Sequence, residues 1–172
     1  MSKPVELFSE LQIKNRIVEL GKKITSDYDN KEIICISILK GSFIFMADLI
    51  REINLDTSCE FMVVSSYGSK TVSSGNVKII LDLKVDIKDK HVLIIEDIID
   101  SGATIAHLMS VLKERKPASI EVCSLLIRKA DKPAYIPKYF GFEIATVDFV
   151  IGYGLDANEK FRSMKYIGLL NP

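Results

Sequence analysis

The sequence predicts an α/β fold, an open and mostly parallel sheet flanked by helices. Three observations carry that prediction. Apolar runs of strand length alternate with segments whose apolar residues recur at helical spacing. The best of these runs, 33–39 and 92–95, are continuously apolar, as strands covered on both faces are. Each of the two is followed by a small-residue turn and then by a plausible helix, around Lys40-Gly41-Ser42 and around Ser101-Gly102.

Taken in order, residues 9–26 form an amphipathic helix. Ser9 and Gln12 make a capping-box pattern, and Ile13, Ile17, Leu20 and Ile24 share one face. Residues 26–31 are a polar turn, 33–39 a buried strand, and 43–53 a helix apolar enough to be largely buried. A second strand falls at 60–66. The small, polar stretch 67–76 that follows has the composition of a mobile loop, which beside a ligand site would act as a lid. Strand character resumes at 77–83, and 86–90 is a charged turn. The strand at 92–95 leads to a helix over 104–115, closed by Pro117. Further strands are expected at 119–127 and 144–151. The tail, 156–170, should hold a short polar helix and a last small strand. No repeat or linker interrupts the 172 residues, so one domain is expected.

Composition narrows the function. Lysine plus arginine equals aspartate plus glutamate at 23 each, so no bulk positive field argues for nucleic acid or for a membrane surface. No stretch approaches the roughly 18 apolar residues of a membrane span. Cys35, Cys59 and Cys123 are an odd number without a C-x-x-C pair, and two of them sit in apolar runs. Neither a disulfide framework nor a zinc site is suggested, and a reducing cytoplasm fits.

The chemistry concentrates in 91–105. Glu96, Asp97 and Asp100 follow the apolar run within five positions, interleaved with Ile98 and Ile99. A single acid after a strand is commonly just solvated. Three so close repel one another, so they are expected to hold a cation or to accept from hydroxyls. Asp100 reads either as a helix N-cap or as a general base. Ser101, Gly102, Ala103 and Thr104 fit a small anion nest at a helix N-terminus. Lys40, Arg162, Lys165, Arg128 and Lys129 are ambiguous between solvated cations and counter-charges to a phosphate-rich ligand. Phe149, Val150 and Tyr153 read as core on pattern alone, although an aromatic at a strand end also offers a stacking face. The chain has no G-x-x-x-x-G-K-[ST]. Its only Gly-x-Gly, at Gly152 and Gly154, is poor support for a dinucleotide site, and two histidines without a serine elbow argue against a Ser-His-Asp hydrolase.

Val92 to Thr104, an apolar strand with two acids, two apolar residues and Asp-Ser-Gly-x-Thr, resembles the signature of type I phosphoribosyltransferases. The resemblance extends to the hypoxanthine-guanine branch, of bacterial type. Leu39-Lys40-Gly41 is similar to its pyrophosphate loop, and Ser65-Ser66-Tyr67-Gly68 to the start of its mobile catalytic loop. Gly141 to Ile144 and Phe149 to Asp156 are similar to its purine-pocket segments, with Asn158-Glu159-x-Phe161-Arg162 after them. The resemblance implies transfer of phosphoribosyl from its diphosphate to a 6-oxopurine, with magnesium, beneath a small hood contributed by the N-terminal and C-terminal segments. It assigns Glu96 and Asp97 to ribose and metal, Asp156 to metal, and Asp100 to proton abstraction. Residues Asp100 to Thr104 would take the 5′-phosphate, and Lys40, Gly41 and Arg162 the pyrophosphate. Phe149, Val150 and Leu155 would take the purine, and Ser66, Tyr67 and Gly68 would open the lid. A homodimer or tetramer is implied by the family. One position departs: where the family usually has a lysine for the 6-oxo group, this chain has Arg128, with Lys129 next, and either could take the role. The alternatives are a phosphoribosyl-diphosphate sensor of the same fold, a transferase for another base such as xanthine, adenine or orotate, and a phosphoacceptor domain.

Overall fold

The computed structural model describes residues 4–66, 77–129, 131, 133–145 and 149–170. In chain order the elements are β1 (Val5–Phe8), α1 (Glu10–Asp27), β2 (Ile33–Leu39), α2 (Phe43–Glu52), β3 (Thr57–Ser66) and β4 (Val77–Leu81). Then follow β5 (His91–Ile99), α3 (Ala103–Lys113), β6 (Ser119–Arg128), β7 (Tyr139–Ile144), β8 (Phe149–Ile151) and β9 (Ile167–Leu170). Six strands make one sheet in the order β4-β3-β2-β5-β6-β7, and three make a second, β1-β9-β8. In the large sheet β3, β2, β5, β6 and β7 run parallel, and β4 alone pairs antiparallel. The expected mostly parallel, helix-flanked sheet is therefore what the chain forms.

Both faces of that sheet are covered. Ile13, Ile17, Leu20 and Ile24 of α1 and Phe45, Met46 and Leu49 of α2 bury against Cys35, Leu93, Ile95 and Cys123. On the other face Ile105, Leu108, Met109 and Leu112 of α3 pack on Ile36, Ile38, Val92 and Ile94. Alternate residues of β2 and β5 thus feed two different cores, which is why these strands are apolar without a break. The capping box holds: the Gln12 N–H donates to Ser9 Oγ at 3.3 Å and the Ser9 N–H to Gln12 Oε1 at 2.9 Å. Cys35 and Cys123 are fully buried, and burial pushes the Cys35 thiol up to about 12 and Cys123 further.

Four expectations need correction. Strand β1 lies outside the helix-led start that the sequence suggests; four residues with two exposed positions give no period, and they form a strand because β9 pairs with them. The acids of the opening motif do not come after their strand. β5 continues to Ile99, with Ile98 opposite Leu126 and Ile99 opposite Ile127, so Glu96 and Asp97 are strand residues. The single strand expected at 144–151 is two: Ile144 closes β7 opposite Arg128, whereas Phe149 opens β8 opposite Leu170 in the other sheet. A change of sheet leaves no mark on a continuous apolar run. Finally, 156–166 is not helical, since Asn158, Glu159 and Phe161 have positive φ of 52°, 61° and 74°.

The end of the sheet remote from the motif is tied by a charge-assisted hydrogen bond. Tyr139, 2% exposed at the start of β7, donates its hydroxyl to Asp27 Oδ2 at 2.8 Å. That bond, with Lys23 and Lys138 beside it, holds the Asp27 carboxyl below its ordinary value. A depressed acid stabilises above its unfolded pKa and loses that contribution as pH falls through the folded one. Tyr139→Phe should therefore cost about 1 kcal/mol in urea unfolding at pH 7. The gap from the parent protein should close below pH ~4.

Candidate active site

The strand order places a crevice by itself. From β2 the chain crosses through α2 to β3 on one side, and later returns to lay β5 on the other side of β2. β2 and β5 therefore flank the point where the winding reverses, and ligands of open α/β sheets bind beyond the carboxyl ends of such strands. Leu39-Lys40-Gly41 leaves β2 there, and residues 96–104 leave β5.

A cavity of about 600 Å³ opens at this point, lined by Asp97, Ile98, Asp100, Ser101, Arg128, Lys129, Phe149, Val150, Leu155 and Asp156. It gathers residues from β5, its turn, the end of β6 and β8 with the turn after it. A second cleft of about 580 Å³ lies between α1, α2 and the tail. Four of its charges are paired, Lys165 with Glu10 and Arg51 with Asp48, and Asp48 also accepts from the Tyr153 hydroxyl. The first cavity is the candidate site.

Its acids fall into two environments. Glu96 and Asp97 are half-buried side by side. Glu96 Oε2 is inaccessible and has no hydrogen-bond partner. Burial first, and then the charge of Asp97, drives the Glu96 carboxyl well above its ordinary value. Asp97 is also raised by burial, against the Ile98 N–H that donates to its Oδ1 at 2.8 Å and the field of Arg162. Burial and mutual repulsion thus disfavour the doubly charged pair unless a cation or hydroxyl donors are present. Gly41 shapes this pocket: a Cβ there would lie 1.5 Å from Asp97 Oδ2, so no side chain is possible where the β2 turn meets the acid. The Leu39–Lys40 peptide bond is cis.

Asp100 stands apart. It is not the N-cap of α3; that position is Gly102, at φ 79°. The Asp100 side chain is 63% exposed and accepts from Arg128 Nε at 2.5 Å. Gly102 presses on Tyr135, whose backbone N would be 2.6 Å from any Cβ, and the Ala134 N–H donates to Ser101 O at 2.8 Å. The Ala103 N–H reaches Ser101 Oγ at 3.3 Å, and Thr104 lies in the first turn of α3. Asp100 to Thr104 thus forms a tight turn propped from behind, with a helix N-terminus at its end.

The other wall comes from β8. Phe149, which reads as core on pattern, is 63% exposed at the cavity, whereas Val150 and Leu155 are 5% exposed and hold its floor. Lys129 is exposed, with its N–H donated to Ile144 O at 2.8 Å. Lys40 and Arg162 meet outside the cavity lining through Glu159, which takes Lys40 Nζ at 3.0 Å and Arg162 Nη2 at 3.1 Å. These two cations hold the Glu159 carboxyl below its ordinary value. Arg162 also pairs with Asp156 Oδ1 at 2.8 Å. Ile98 and Glu159 are contributors to which the sequence attaches no role. Ser66 ends β3, and Tyr67 and Gly68 lie outside the described residues.

Among the described residues no three acids, histidines or cysteines converge as a metal cage. The Glu96–Asp97 pair nevertheless has the chemistry of a cation site, with a buried carboxylate oxygen left without a donor. Magnesium in phosphate chemistry is held by one or two carboxylates, water and ligand oxygens rather than by an all-protein cage. The residues present fit that mode. Among the described residues no helix is long and apolar enough to cross a membrane.

Known proteins resemble this chain in sequence and in fold. Residues 6–158 match the family model described as a phosphoribosyl transferase domain. Hypoxanthine-guanine phosphoribosyltransferase of Dictyostelium discoideum is 50% identical over 99% of this chain and 96% of its own length. The protein of that name from Bacillus subtilis is 46% identical over 96% and 92%. Among solved structures, a hypoxanthine phosphoribosyltransferase from Staphylococcus aureus superposes with a TM-score of 0.92 at 45% identity, covering 97% of this chain and 91% of that one.

Proposed function

The chain belongs to the phosphoribosyltransferase family, and on that premise we propose that it is a purine-salvage enzyme. It transfers 5-phosphoribosyl from phosphoribosyl diphosphate to hypoxanthine and guanine, releasing pyrophosphate. The observation that carries the reading is the cavity in which Asp97 of the acid pair, Asp100 and Ser101 of the propped turn and an exposed Phe149 come together.

The proposed division of labour follows the chemistry of each group. The turn from Asp100 to Thr104 takes the 5′-phosphate, with backbone donors and the end of α3 facing it. Glu96 and Asp97 accept from the ribose hydroxyls and, with Asp156, would hold magnesium; in the free chain Asp156 pairs with Arg162 at 2.8 Å. Bound there with the diphosphate, magnesium supplies charge neutralisation for the leaving group. Lys40, Gly41 and Arg162 hold the pyrophosphate. Phe149 stacks on the base and the Val150 backbone reads its edge. Asp100 accepts the imidazole proton as that nitrogen attacks the anomeric carbon, whose ring carries positive charge in the transition state. The loop that begins at Ser66, Tyr67 and Gly68 closes against water. The sheet β1-β9-β8 serves as the hood of a single domain, and a dimer or tetramer is the expected assembly.

The test is an assay of purified protein with magnesium and phosphoribosyl diphosphate, offering hypoxanthine, guanine, xanthine, adenine and orotate separately. Pyrophosphate release is expected with the first two, and silence with every 6-oxopurine would overturn the reading. The 6-oxo group is assigned to Arg128, which lines the cavity beside Asp100. Arg128→Ala should raise the purine KM about ten-fold or more, well beyond the effect of Lys129→Ala. The reverse order would move the role to Lys129.

A further inference from the structure

The two cations assigned above to pyrophosphate are already bridged by an anion of the protein's own. Lys40 follows β2, and Arg162 lies in the tail. The Glu159 carboxylate spans them with one oxygen each, Oε1 at 3.0 Å from Lys40 Nζ and Oε2 at 3.1 Å from Arg162 Nη2. The arrangement is built by the backbone. Positive φ at Asn158, Glu159 and Phe161 coils the tail, and the Glu159 N–H donates to Asp156 Oδ2 at 2.7 Å. The backbone of Gly154 packs against the Gly41 carbonyl, and Arg162 Nη1 donates to Gly154 O at 2.8 Å, so the tail loop and the β2 turn are held together without Glu159.

Two further facts bear on what the bridge is for. Arg162 is 19% exposed, and its Nε is buried without a partner, so its donors are not all used. Lys40 and Glu159 are 66% and 64% exposed, and an ion pair so open to water is weak and easily exchanged. A structural bridge would be better placed in the interior. Lys40 and Arg162 lie just outside the cavity lining, yet the Arg162 charge acts on Asp97 and Gly41, next to Lys40, abuts the same carboxylate. A carboxylate held loosely between two cations so close to the candidate site is a replaceable occupant.

We propose that Glu159 is a built-in competitor for the pyrophosphate subsite. Its carboxylate engages Lys40 and Arg162 in the ligand-free enzyme, is displaced when the diphosphate binds, and returns to them as pyrophosphate departs. The inference rests on the assignment of Lys40 and Arg162 to pyrophosphate. Its consequence is that affinity for both substrate diphosphate and product is set below what the two cations alone would give, in favour of release.

The test is calorimetric titration of the intact protein with magnesium pyrophosphate, comparing the parent chain with Glu159→Gln. Because the side chain is exposed, the variant should fold, and its thermal midpoint is recorded alongside. The expected result is a pyrophosphate Kd lowered about three- to ten-fold. Product inhibition by pyrophosphate should tighten to match, while the purine KM is unchanged. Glu159→Asp, which keeps the charge, should return most of the way to the parent affinity. Unchanged or weaker pyrophosphate binding by Glu159→Gln would overturn the proposal, since a carboxylate that merely orders the tail gives loss and raises the KM of both substrates. If the parent chain neither binds pyrophosphate nor turns over, the functional reading fails and takes this inference with it.

Discussion

Asp100→Asn should lower kcat by about 10² to 10⁴-fold while leaving the Michaelis constant for phosphoribosyl diphosphate within about two-fold. The exchange removes the ability to take a proton and little else. The amide that replaces the carboxylate keeps one oxygen for Arg128 Nε, so the ion pair becomes a neutral-acceptor hydrogen bond in the same place. The phosphate turn is held from the other side, by the Ala134 N–H on Ser101 O and by Gly102 against Tyr135, and none of these contacts involves the Asp100 side chain. Ground-state binding is thus insulated from the proton transfer. Steady-state kinetics with hypoxanthine decide it: near-parental turnover would remove Asp100 from the role of base. A large rise in the phosphoribosyl-diphosphate constant would instead make it a phosphate-turn residue.

Glu96→Gln should produce opposite effects on stability and on function. The buried Glu96 oxygen lacks a partner, and burial with the Asp97 charge raises the pKa, so the charged form disfavours the ligand-free fold. A neutral amide of the same shape donates to Asp97 instead of repelling it. Relief of about 1–3 kcal/mol is expected at neutral pH, seen as a thermal midpoint about 3–8 °C higher. The sign with pH follows from linkage. The folded pKa lies above the unfolded one, so the native state binds the extra proton, and parental stability falls as pH rises from about 4.5 upward. The variant should lack the Glu96 share of that decline and keep only that of Asp97. With magnesium and phosphoribosyl diphosphate added, the order should invert, because only the parent chain is stabilised by binding through this carboxylate. A variant less stable than the parent at every pH would show that Glu96 is satisfied in the free fold.

How much of the molecule is legible in the chain depends on whether local spacing carries the information. The large sheet is readable because β2 and β5 serve two cores at once and are apolar throughout, and α1 because its cap and its Ile13-Ile17-Leu20-Ile24 face are both local. The acids near the candidate site stand out because three carboxylates within five positions repel one another. What escapes is set by distant partners. β1 owes its form to β9, the break between β7 and β8 is a transfer between sheets, and the coiled tail is fixed by Arg162 reaching back to Gly154. Phe149 reads as core because an aromatic in an apolar run usually is; only the pairing of β8 with β9 leaves its side chain exposed beside Arg128 and Lys129. The Glu159 bridge is only half local, since Arg162 is three positions on but the lysine it also reaches is 119 positions away.

The short contact between Gly102 and Tyr135 has a bearing on redesign. The segment after β6 begins with Lys129 at the cavity wall proposed to read the base and, a few residues on, backs the turn proposed to hold the sugar phosphate through Ala134 and Tyr135. A designer who grafts this segment from a relative to change the accepted base therefore replaces a strut as well as a selectivity element. Grafts that alter its length between 129 and 134 should lose hold of the phosphate before they gain a new base. Point changes at 128 and 129, upstream of the strut, leave it standing.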